Sequence, residues 1–157
     1  MLRIKSKFLA VKSLVCVAVC ATLFSFSAGT GRHSFEVYLG DKLMLKEFVS
    51  TETDVKSFSL DQRFYNDDVK VNYNQCGLIG KGRSLSIKDA QNKVLKEWQF
   101  ADVTDGVSPF MTCKVKDILS LKKNGRRLNL VYSSKEVPDG QSLAVIILES
   151  DNKVSLN

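Results

Sequence analysis

Ser34-Phe35-Glu36-Val37-Tyr38-Leu39-Gly40-Asp41-Lys42-Leu43-Met44-Leu45-Lys46 is the stretch on which the fold turns. Phe35, Val37 and Leu39 fall on alternate positions, the period-2 pattern of a strand with one buried face. Gly40-Asp41 separates this run from a second one rich in apolar residues. Glycine supplies the positive φ that a two-residue hairpin turn demands, so the two runs predict an antiparallel hairpin.

The same period recurs down the chain. A short strand is expected over 56–60, with Phe58 and Leu60 in phase. Val69, Val71 and Tyr73 alternate with polar residues over 68–74, as do Leu85 and Ile87 over 83–88. Asp89 to Lys93 is a turn cluster, after which Val94, Trp98 and Phe100 mark a returning strand. Leu128, Leu130 and Tyr132 define another over 127–133. Pro138-Asp139-Gly140 reads as a break. Leu143 to Leu148 is apolar throughout, which predicts a central strand covered on both faces. One helix is expected near 114–123, because Val115, Ile118 and Leu119 have helical spacing and Asn124-Gly125 can cap it. The alternative is a strand over 119–123 with Asn124-Gly125 as its hairpin turn. The expected fold is therefore all-β and mainly antiparallel, a β-sandwich or small barrel of about seven to nine strands. No fixed repeat and no alternation of strands with helices is seen, which argues against solenoids and parallel α/β sheets.

The 157 residues suit one domain, and 44% apolar with 25% charged residues is a globular composition. The N-terminus is different in kind. Arg3, Lys5, Lys7 and Lys12 precede the uncharged run Ser13 to Phe26, and small residues follow over 27–31. A basic start, a short apolar stretch and small residues at a cut are the parts of a secretory signal peptide. The run is shorter than the roughly 20 residues of a membrane span. The expected division is a signal helix over 1–29, cut after Gly29 or, nearly as well, after Ser27, then a single β-rich domain over 30–157. Cys16 and Cys20 lie inside the apolar run without a small residue before them, so they read as filler and not as lipid attachment sites.

Removing that segment changes the charge argument. The whole chain carries 23 basic and 17 acidic residues, net +6; residues 1–29 hold four of the basic ones and none of the acids. The remainder has 23 − 4 = 19 basic groups against 17, net +2. The basicity belongs mostly to targeting, and no nucleic-acid partner is expected. Lys122-Lys123-Asn124-Gly125-Arg126-Arg127 reads as a solvated turn.

Few residues suggest chemistry. Cys76 and Cys113 are the cysteines left after cleavage, and in an oxidising compartment they are expected to form a disulfide. No C-x-x-C occurs, so neither a thioredoxin-type site nor a paired-cysteine zinc site is indicated. His33, the lone histidine, would have to serve any Ser-His or Cys-His nucleophile and reads instead as an exposed linker residue. Gly77 to Arg83 has glycines at spacings unlike a phosphate-binding loop and leads into a strand. Asp67-Asp68 and Asp102 to Asp105 lack the alternation of a calcium loop and read as turns. Phe64-Tyr65 breaks strand phase beside Asn66-Asp67-Asp68 and is the candidate for surface recognition.

The resulting expectation is an exported β-domain, periplasmic or secreted, with a non-enzymatic binding or structural role in the envelope or outside the cell. Its partner would be a protein or glycan. No cofactor, no metal and no membrane span after cleavage is expected. The alternative is a small exported hydrolase that uses paired carboxylates on glycans.

Overall fold

Gly40 sits at φ +59° between β1 (Ser34–Leu39) and β2 (Lys42–Phe48), and the hairpin forms as the sequence requires. The computed structural model describes residues 33–49, 55–75, 80–102 and 109–149. All belong to the unit Arg32–Asn157; the expected signal segment lies outside the described residues.

The remaining strands are β3 (Ser57–Leu60), β4 (Asp68–Asn74), β5 (Arg83–Lys88), β6 (Val94–Phe100), β7 (Met111–Lys114), β8 (Arg127–Ser134) and β9 (Val137–Leu148). They form two sheets, ordered β2-β1-β4-β7 and β3-β9-β8-β5-β6. Pairing is antiparallel except between β3 and β9, which run parallel. This is an all-β, sandwich-like fold. Among the described residues no helix is long and apolar enough to cross a membrane.

The core follows from the alternation. On the four-stranded sheet, Phe35, Val37 and Leu39 stand opposite Tyr73, Val71 and Val69, and all six are buried. Leu85, Ile87, Leu128, Leu130, Ile146 and Leu148 of the five-stranded sheet are fully buried with them. Each such aliphatic side chain contributes about 1.5–3 kcal/mol of transfer free energy. At one point the sheets meet through stacked rings: Tyr73 and Tyr132 lie 4.0 Å apart and 14° from parallel. The expected helix is α1 (Val115–Leu119), continued as a 3-10 turn over Ser120–Asn124, and it buries Val115, Ile118 and Leu119. The hairpin alternative is not adopted.

Two local features go beyond the sequence reading and two readings are corrected. A bulge in the β1–β2 ladder pairs Val37 with Leu45 but Tyr38 with Leu43, so Leu43 faces outward, 44% exposed, while Leu45 is buried. One inserted residue moves a side chain to the other face. Met111–Lys114 is a strand, β7, too short to announce itself by period. Pro138-Asp139-Gly140 does not break the chain but lies within β9. Ser134 pairs with Val137 and Tyr132 with Gln141, so these three residues bulge opposite Ser133, where a proline is tolerated. The apolar run 143–148 is in a central strand, between β3 and β8, but its second face is only partly covered: Leu143 is buried while Val145 and Ile147 are half-buried.

The bulge depends on Gly140. Its φ is +79°, and a Cβ there would stand 3.0 Å from Val131 Cγ1 and 3.1 Å from Ser133 Oγ. Gly140→Ala is expected to destabilise the protein by about 1–3 kcal/mol in urea unfolding, through strain and overpacking together. An unchanged midpoint would contradict this geometry.

Candidate functional site

Alternation also fixes what the four-stranded sheet shows to solvent. Ser34, Glu36 and Tyr38 on β1 point outward, with Lys46 and Phe48 from β2 and Lys70, Asn72 and Asn74 from β4. Across β7, Thr112 faces Lys70, which places Phe110 in the outward phase just before the strand. Most of this face is polar and mutually paired. Lys46 Nζ lies 2.7 Å from Glu36 Oε1, and Tyr38 donates its hydroxyl to Glu36 Oε2 at 2.9 Å. Lys70 pairs with Asp41, and Lys114 with Asp68.

Three large apolar groups interrupt that polar surface: Leu43, opposite Tyr38, and the aromatics Phe48 and Phe110. Phe48 is 64% exposed and Phe110 49% exposed. The Phe110 ring meets Tyr38 edge to face, with centroids 5.5 Å apart. Beside Phe48 a cavity of about 190 Å³ opens over Ser34, walled by Glu36, Lys46, Asn72 and Asn74. The side-chain oxygen Oδ1 of Asn72 is buried and has no hydrogen-bond partner. A second depression, about 380 Å³, lies on the five-stranded sheet among Lys88, Asn92, Asn129, Asp139 and Ser142. It has no aromatic wall.

Four carboxylates are held below their usual range by their neighbours. The Lys46 ammonium, and then the Tyr38 hydroxyl, hold Glu36 below the usual glutamate range. Lys70 does the same for Asp41, and Arg63 for Asp61. At Glu136 burial pushes upward, but hydrogen bonds from the Lys81 backbone N–H and other donors win, and its pKa also falls. A glycosidase acid needs the opposite shift. Among the described residues no group of three ligating side chains is placed to hold a metal.

The residues singled out from sequence are not brought together. Phe64 turns inward and packs against the core, with the Arg63 guanidinium 5.6 Å from its ring centre. Tyr65 alone points out, 46% exposed, in the turn after the 3-10 segment Gln62–Phe64. Arg63 is tied to Asp61 at 2.6 Å. His33 is not a loose linker residue. Its carbonyl accepts the Val49 N–H at 2.8 Å, and its ring is half-buried, 6.0 Å from that of Tyr73. Asp102 accepts the Gly82 N–H at 2.7 Å, a turn role; Asp105 and Gly77 lie outside the described residues.

Cys76 lies outside the described residues as well, and Cys113 is a free, buried thiol among them. Burial, with Asp117 nearby, pushes that thiol up to about 12, so it is inert toward thiol chemistry at neutral pH. Cys113 stands opposite Val69 near the start of β4. The expected Cys76–Cys113 bond involves a residue outside the described ones.

Phe48, Phe110 and Asn72 were the residues missed. Phe48 lies in phase with the charged Lys46, a signal available from the alternation of β2. Phe110 becomes legible only once β7 is known. No protein-family model matches this sequence, and no curated protein matches it.

The Glu36 shift has a testable sign. Its stabilising pair with Lys46 is present above the ordinary glutamate range and is lost as pH falls through the lowered folded value. A carboxyl ¹³C titration is expected to place Glu36 below ordinary glutamate, and Lys46→Ala is expected to bring it back up. No difference between the two proteins would refute the pairing.

Proposed function

We propose that this chain is an exported, non-enzymatic β-domain that binds a partner in the envelope or outside the cell. The binding surface is the outer face of the four-stranded sheet. The observation that carries the reading is the pair of exposed aromatic side chains, Phe48 and Phe110, on a face that, Leu43 and Tyr38 apart, is polar and in part ion-paired. Large apolar groups left in water on an otherwise charged surface mark a contact site. Export rests on the N-terminal sequence: four basic residues, a short apolar run and small residues over 27–31.

Two measurements test this. N-terminal sequencing of the protein recovered outside the cytoplasm is expected to begin at Thr30; Met1 on a soluble cytoplasmic product would refute export. Immobilised protein is expected to retain a partner from envelope extracts that Phe48→Ser and Phe110→Ser proteins lose. Retention unaffected by both substitutions would refute this face as the site.

A further inference from the structure

The charges of this protein are unevenly placed. Lys46, Lys56, Arg63, Lys70, Lys96 and Lys114 each meet a carboxylate. At one end of the sandwich the pattern reverses. Lys122, Lys123, Arg126 and Arg127 lie where α1 and its 3-10 turn give way to β8. On the neighbouring strand Lys88 stands opposite Asn129, two residues beyond Arg127 and in the same outward phase. Such diagonal neighbours are about 7–8 Å apart. Lys93 closes the β5–β6 turn, which Asn129 ties to β8 by donating to the Asp89 carbonyl at 3.3 Å. Among the described residues none of these six cations has a carboxylate within ion-pair distance.

The acids nearby are fewer. Asp89 accepts from the N–H groups of Gln91 and Lys93, Asp139 borders the wide depression with Lys88, and Glu149 follows β9 with its charge acting on Arg63. Six cations against three acids leave this end at +3, while the other 13 basic and 14 acidic residues of 30–157 come to −1.

Two turns carry the cations, and the longer one is open. A Cβ on Gly125 would meet nothing within 4 Å. Among the charges sits an apolar side chain: Val94, opposite Lys88, is 49% exposed. Unpaired like charges repel one another and work against the compact state. A flat anionic surface reaches both turns at once and relieves that repulsion. Its headgroup boundary also receives an apolar side chain, which a soluble polyanion does not.

From these features we infer that this end of the sandwich docks on the surface of an anionic phospholipid bilayer without crossing it. The contact is separate from the aromatic face. Phe48 stands opposite Ser34, at the other end of β1 from Leu39, whereas α1 leaves from Lys114, opposite Asp68 at the Leu39 end. Docking through the basic turns therefore holds Phe48 away from the lipid.

The test is co-sedimentation of the exported protein with vesicles of phosphatidylcholine alone and of phosphatidylcholine with one-third phosphatidylglycerol. Binding is expected to the anionic vesicles only, at about 0.1 M salt. It is expected to vanish near about 1 M, where the screening length falls from about 10 Å to about 3 Å. Arg126→Gln combined with Arg127→Gln is expected to weaken it about fivefold per charge removed. Lys81→Gln with Lys135→Gln removes as much charge at the other end, beyond Ser84 and Ser133, and is expected to leave binding nearly unchanged. Val94→Ser is expected to weaken it severalfold. All five side chains are exposed, so the fold should be kept. Equal binding to the neutral vesicles, or none to the anionic ones, would overturn the inference. Equal losses from the two double substitutions would do so as well, since net charge and not this end would then be the cause. A silent Val94→Ser would rule out the bilayer in favour of a soluble polyanion. Phe48→Ser and Phe110→Ser are expected to spare vesicle binding, and its loss in either would move the contact to the aromatic face and overturn the assignment.

Discussion

A guanidinium buried in the sandwich is the constraint on which the rest of the structure depends. Arg83 points inward from β5 and is 2% exposed. Taking such an ion out of water costs several kcal/mol unless its N–H groups are met. Its partners include the carbonyl of Ala101, which accepts from Nε at 3.0 Å, and that of Pro109, which accepts from Nη1 at 3.2 Å. Ala101 follows β6 on one sheet, and Pro109 precedes β7 on the other. One side chain therefore holds both ends of the connection that carries the chain between sheets. Tyr132 lies near Arg83 and stacks on Tyr73, and Gln75 donates to Tyr132 and Ser134 at 3.3 and 2.9 Å. The two sheets thus meet through a polar cluster as well as through aliphatic packing.

That closure reaches the outer surface. Pro109, held by Arg83, is followed by Phe110, whose ring rests against Tyr38, and Tyr38 in turn bonds Glu36 at the wall of the cavity. The inward residues of β1 and β4 pack, and their outward neighbours build the proposed site. Rigid sheet positions hold binding groups with less lost entropy than loops do. Phe48, Asn72 and Phe110 all belong to strands or to the residue just before one.

The architecture was readable because it is written in period 2. Phe35 to Leu39, Val69 to Tyr73 and Leu128 to Tyr132 each alternate cleanly, and the structure keeps those faces. Where a single residue shifts phase, local pattern fails. Leu43 and Leu45 look equivalent, yet the bulge exposes one and buries the other. Residues 138–140 contain proline and glycine and read as a break, but a bulge absorbs them into β9. The candidate site was nearly invisible for a related reason. Phe64-Tyr65 drew attention by breaking phase, and the core claimed Phe64. Phe48 and Phe110 kept phase with polar neighbours, and only pairing partners show which side of a sheet that phase occupies.

The claim that Arg83 closes the sandwich, and so positions the outer face, is tested most directly by urea unfolding of Arg83→Met. Methionine fills much of the volume but removes the charge-assisted hydrogen bonds to the Ala101 and Pro109 carbonyls, at about 1.5–3 kcal/mol each. A loss of about 2–5 kcal/mol is predicted. An Arg83→Met protein as stable as the wild type, within about 0.5 kcal/mol, would contradict the account.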